Sequence, residues 1–156
     1  MPRTFGSVEG TLAASARPAA PWHLWAVGLL GLVWNLFQCL DYVMSQRRDA
    51  QWLAHVPPEM PAYLDSFPWW STAQWAIGVW GALLGSVCLL VRVRHASVAF
   101  LVAWVATALT YGYHYIDGMP ASLNTPAINS LKALLFFVIV LQWWYARTMR
   151  DRGVLG

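Results

Sequence analysis

Charge is what this sequence most lacks. Its 156 residues carry ten Lys or Arg and seven Asp or Glu, 11% of the chain, where a soluble domain carries about 25%. That scarcity excludes an ordinary water-soluble globule. It also excludes a disordered chain, which stays open by being polar, and a nucleic-acid binder, which needs clustered cations where this net charge of +3 is spread along the chain. Cysteine is scarce too. Cys39 and Cys88 fall at depths that differ by ~15 Å or more along their predicted helices, which is too far for a disulfide. No internal repeat is visible, and there is no nucleophile elbow, phosphate loop, zincin helix or Cys-x-x-Cys pair. The chain therefore offers no catalytic motif and no cofactor site.

What is abundant is apolar and aromatic. Hydrophobic residues make up 58% of the chain, with 11 Trp, 6 Tyr and 6 Phe, and amphipathic rings gather where lipid headgroups meet acyl chains. One helical span needs ~20 apolar residues. Four such runs fit here, at about 24–44, 71–91, 97–116 and 128–145. Nothing alternates polar with apolar as a membrane β-strand would. The expected fold is all-α, an antiparallel four-helix transmembrane bundle over residues 22–147. The first run fills a whole bilayer without a following cleavage site, so it reads as a retained span rather than a signal peptide.

Seven cations (Arg3, Arg17, Arg92, Arg94, Arg147, Arg150, Arg152) fall on one side of this arrangement, and Arg47, Arg48 and Lys132 on the other. The positive-inside rule then puts both termini in the cytoplasm. Residues 1–21, rich in Ala, Ser and Pro, read as a disordered tail, and 148–156 as a second cytoplasmic tail. The outer loop, 45–70, is long and carries Trp52, His55, Tyr63 and Phe67 among four prolines. Asp49 is placed to cap a short helix through Trp52 and Leu53, and Pro58-Glu59 to open another toward Ser66. Both helices should lie over the outer mouth of the bundle.

Small residues mark where helices touch in lipid. Gly81 and Gly85 form a G-x-x-x-G in the second span, with Gly78, Ala82 and Ser86 on the adjoining row; Ala99, Ala103 and Thr107 supply a matching row on the third. Contact within one chain is favoured over homo-oligomerisation.

Polar residues inside the spans persist only with a partner or a wet cavity. Asn35, Gln38, Asp41, Tyr42, Gln74, Tyr111, His114, Asp117, Asn129 and Lys132 all fall toward the outer ends of the four spans. That coincidence predicts a polar pocket open to the outer face. The Lys132 ammonium, a turn inside an apolar helix, calls for a counter-ion, and Asp41 and Asp117 lie at compatible depths; the alternative is snorkelling to headgroups. His114 fits a ligand, a proton relay or a hydrogen-bonded core residue. His114 and Asp117 at i, i+3 suit two metal ligands, but only His55 or Asp41 would complete a site, so no metal is assigned. Trp34, Trp80 and Trp104 fall near mid-membrane, where they floor a pocket or pack against lipid.

The run Trp34-Asn35-Leu36-Phe37-Gln38-Cys39-Leu40-Asp41-Tyr42-Val43-Met44 is followed by a Pro-rich loop, Phe67-Pro68-Trp69-Trp70, Gln74-Trp75, Gly78-Val79-Trp80-Gly81 and Gly85. Over about 22–152 this resembles a family of small four-span bacterial inner-membrane proteins often labelled sugar transporters. Gln38 and Cys39 stand where that pattern favours small residues. The resemblance implies transport. Three classes stay open: a small-molecule binder or transporter, an accessory subunit of a larger membrane complex, and a binder of lipid or another hydrophobic ligand.

Overall fold

Hydrocarbon offers no water to backbone N–H and C=O groups, so an apolar run that crosses it must satisfy them within its own helix. The computed structural model describes residues 18–156 and is helical throughout: α1 (Trp22–Gln46), α2 (Ala50–Leu53), α3 (Met60–Asp65), α4 (Trp69–Leu90), α5 (Ala96–Asp117), a 3₁₀ turn (Ala121–Leu123) and α6 (Pro126–Asp151). Helices α1, α4, α5 and α6 are each long and apolar enough to cross a membrane. The expected N-terminal tail, with Arg3, Glu9 and Arg17, lies outside the described residues apart from its last four positions.

The helices start where prolines and caps direct them. Extended Pro21 and Pro68 precede α1 and α4, and the Thr125 hydroxyl accepts from the Ile128 N–H at 3.3 Å to cap α6, with Pro126 in the first turn. Helix α6 outruns its predicted end at 145 and continues to Asp151. Hydropathy marks only the apolar part of a helix, whereas Arg147 and Arg150 extend the hydrogen-bonded ladder while carrying their charges out to water, close to the negative end of the helix dipole.

Residues 148–156 are accordingly not a separate tail. They are the last turns of α6 and an ending docked beneath the α4–α5 turn. Arg92 has a left-handed backbone (φ 60°) and donates through its guanidinium to the carbonyls of Val154 (3.2 Å) and Pro18 (2.7 Å). Arg94 N–H donates to the Gly156 carbonyl, and Gly156 N–H to that of Arg92, both at 3.0 Å. Val154 and Leu155 are buried there with Leu24, Leu89, Phe100 and Met149 in the main apolar cluster. The bundle is thus best packed at this basic end.

Close helix packing runs from α1 to α4, α4 to α5 and α5 to α6. The α4–α5 contact is the tightest because α4 presents glycine. A Cβ on Gly81 would lie 3.2 Å from the Ala103 Cβ, one on Gly78 3.0 Å from the Thr107 hydroxyl, and one on Gly85 2.8 Å from the Phe100 ring. The small-residue rows therefore meet inside one chain, while Ala82 and Ser86 on the adjoining row face α1. Both cysteines are free, and the Cys39 thiol donates to the Val79 carbonyl at 3.4 Å.

Gly85→Val is expected to lower unfolding free energy in detergent by about 1–3 kcal/mol through overpacking against the fully buried Phe100. Phe100→Leu should recover part of that loss, so that the double variant costs less than the sum of the two single changes. Strict additivity would contradict the contact.

Candidate functional site

Helices α1 and α6 meet through side chains rather than through close backbone packing, and a polar cluster bridges them. The Asn35 side-chain amide, 3% exposed, points its Nδ2 at the Ala82 carbonyl (3.2 Å), the Ser86 hydroxyl (2.9 Å) and the Gln142 Oε1 (3.3 Å). Two N–H hydrogens serve three acceptors, so one is shared. Gly31 makes the room: a Cβ there would stand 2.8 Å from the Gln142 Nε2 and 3.2 Å from the Ser86 hydroxyl. Nearer the basic end, His23 Nδ1 and the Tyr145 hydroxyl form a second bridge at 2.5 Å.

Above this cluster lies a cavity of about 90 Å³, with Trp34, Gln38, Thr107, Tyr111 and Val138 among its walls and Asn35 and Gln142 at one end. A second and larger cavity, about 320 Å³, sits between the end of α5 and the start of α6, lined by Tyr111, His114, Tyr115, Gly118, Met119, Asn124, Asn129 and Lys132. Tyr111 borders both.

The ten residues expected to line one pocket are therefore divided. Asn35, Gln38 and Tyr111 line the inner cavity; Tyr111, His114, Asn129 and Lys132 line the outer one. Tyr42 instead packs edge-on against Trp75, ring centres 4.9 Å apart. The Gln74 Oε1 is buried without a hydrogen-bond partner. Asp117 is exposed. Asp41 is taken up by the loop: Asp49 caps α2 by accepting from the Trp52 N–H, and the Trp52 indole so placed donates to Asp41 Oδ1, each at 2.9 Å. Among the mid-membrane tryptophans, Trp34 borders the inner cavity, Trp80 is about half exposed on the outer surface, and Trp104 stacks on Trp143.

The counter-ion expected for Lys132 is not Asp41 or Asp117. Ion pairs among the described residues are Arg48–Asp65, Arg147–Asp151 and Arg150–Asp151. Lys132 Nζ instead lies 3.2 Å from the Met119 sulfur, at the wall of the outer cavity. Equal depth along a helix axis does not fix which way a side chain faces, and depth was all that the sequence supplied.

The outer loop forms a lid from its two short helices, both where the sequence places them. Arg48, with a left-handed backbone (φ 53°), turns the chain after α1, donates to the Ser45 carbonyl and pairs with Asp65 at the end of α3. This swings Tyr63 and Phe67 over α5, where their rings lie 5.7 and 4.5 Å from that of His114. Burial pushes the Tyr63 phenol above its ordinary pKa, and the negative charge of Asp117, then Tyr113, adds to this. His114 is buried beneath, its Nε2 without a hydrogen-bond partner. No group of three His, Cys, Asp or Glu among the described residues is placed to hold a metal ion.

Sequence reasoning missed the contacts of Asn35 with Ser86 and Gln142, because the rotation of each helix decides which side chains meet. The Gly28 and Gly31 step on α1 was their available signal. No family model, curated protein or solved structure matches the chain, so the geometry has to carry the functional reading.

Because Asp41 holds Trp52 and not Lys132, Asp41→Asn and Lys132→Met should act independently. An Asn oxygen still accepts from the indole, so Asp41→Asn should cost about 1 kcal/mol or less. The double variant should equal the sum of the singles within about 0.5 kcal/mol in a detergent unfolding titration. A coupling well above that would restore the ion pair.

Proposed function

We propose that this chain is a multi-pass protein of a bacterial inner membrane that binds a small molecule from the outer face, in a binding or transport role. The observation that carries this reading is the pair of cavities bordered by Tyr111. Together they reach from Lys132 near one membrane surface to the Asn35–Gln142 amides between the helices. Binding sites of small molecules are concave and mostly apolar, with a few convergent polar groups, and this one has that composition. The orientation follows the cations: Arg92, Arg94, Arg147, Arg150 and Arg152 gather at the docked end, which faces the cytoplasm, and the aromatic lid faces outward.

The loosely packed α1–α6 seam supports lateral access from the outer leaflet, so a hydrophobic or amphiphilic ligand suits the site better than a fully hydrated one. An accessory-subunit role would instead leave the cavities empty and place the binding energy on the lipid-facing helix surfaces.

The test is native mass spectrometry of the protein released from its own membranes in mild detergent, beside Val138→Phe, which fills the inner cavity. The wild type is expected to carry a non-covalently held small molecule that the variant loses. A bare wild-type chain, or one that carries only a second protein, would contradict ligand binding and favour the subunit role.

A further inference from the structure

The outer cavity is one-sided in its chemistry. Lys132, the chain's single lysine, brings an ammonium with three donors and no carboxylate partner among the described residues. Beside it the Asn129 Nδ2 donates to the Asn124 Oδ1 at 2.8 Å, and this fixes the Asn124 amide so that its own NH₂ is left to donate. Tyr111 and His114 also line it, and the Nε2 of His114 is buried and unpartnered. No Asp or Glu among the described residues lines the cavity. A cavity of about 320 Å³ with donors on several sides and a fixed positive charge is complementary to an oxyanion and repels a cation.

We propose that the outer cavity binds the anionic oxygen head group, carboxylate or phosphate, of its ligand, with the Lys132 ammonium as counter-ion and Asn124, Tyr111 and His114 as donors around it. This rests on the ligand-binding reading and names the class of ligand. The roughly 3.2 Å approach of Nζ to the Met119 sulfur is a weak contact that a charged oxygen readily displaces. A body attached to the head group would pass Tyr111 toward the inner cavity, where Trp34, Leu135 and Ile139 provide apolar wall. The same head-group chemistry belongs to a free organic or inorganic anion and to an anionic lipid.

The full chain is reconstituted in phosphatidylcholine nanodiscs and its melting temperature followed against sodium phosphate and sodium acetate, with ionic strength held constant by sodium chloride. A parallel sample replaces part of the lipid with phosphatidylglycerol and has no added oxyanion. At least one arm is expected to raise the melting temperature with rising concentration. The free-anion arm responding alone identifies a soluble ligand; the phosphatidylglycerol arm responding alone identifies a lipid. Lys132→Met should abolish the shift, Lys132→Arg should keep it, and Asn124→Leu, at an exposed position, should weaken it. No response in either wild-type arm, or an equal response in Lys132→Met and wild type, overturns the proposal. If mass spectrometry shows a retained neutral molecule while neither arm responds, the anion assignment falls and ligand binding stands.

Discussion

A buried amide ties the open side of this bundle across its middle. Helices α1, α4, α5 and α6 follow one another in close contact, glycine against ring and methyl, but between α1 and α6 the backbones stand apart. Lipid supplies no hydrophobic force to close that seam, because the acyl chains are as apolar as the helices. What joins them is polar: Asn35, reaching Ser86 and Ala82 on α4 and Gln142 on α6, and the His23–Tyr145 bridge nearer the basic end. Each such bond contributes ~0.6 kcal/mol, up to about 1.7, in a membrane. The geometry therefore matters more than the energy: the amide holds the two helices at a separation that leaves a cavity between them.

The same logic of satisfied polar groups organises the lid. Asp49 caps α2, which places the Trp52 indole on Asp41; Arg48 turns the chain and pairs with Asp65, which brings α3 and its aromatic rings over His114. Asp41, Asp49 and Asp65 are thereby used in building the lid, and Lys132 at the cavity wall has no carboxylate partner among the described residues. One end of the molecule is closed by apolar packing and by the docked residues 154–156, the other by rings over a polar chamber. The two ends of the bundle are therefore built differently.

The class of fold was legible because hydropathy is a property of a single run of residues: four runs, four helices. The short helices of the loop were legible for a similar reason, since Asp49 and the Pro58-Glu59 start act within a few residues. The Gly81 and Gly85 contact with α5 could be read because a row of small residues on each helix is a local pattern that predicts its own complement. The site was harder. Asn35, His114 and Lys132 were identifiable as polar groups in the membrane, but their partners depend on helix rotation, which a depth argument leaves open. Asn35 turned toward Ser86 and Gln142, and Asp41 toward Trp52, because α1 is rotated to fit Gly28 against Leu90 and Gly31 against the Gln142 amide. Rotation is set by packing across helices, and no single run of the sequence contains it.

The role of Asn35 as a tie across the middle of the seam is tested most directly by the distance between α1 and α6 in a lipid bilayer. Spin labels at Leu30 and Leu141, both exposed on the outer surface of the bundle, are read by pulsed electron resonance in nanodiscs, with Cys39 and Cys88 replaced by serine and alanine. A protein with Asn35 intact should give one narrow distance distribution, and Asn35→Ala one that is broader and shifted to longer distance. An unchanged distribution in Asn35→Ala would show that the seam is held without the amide and would contradict the account.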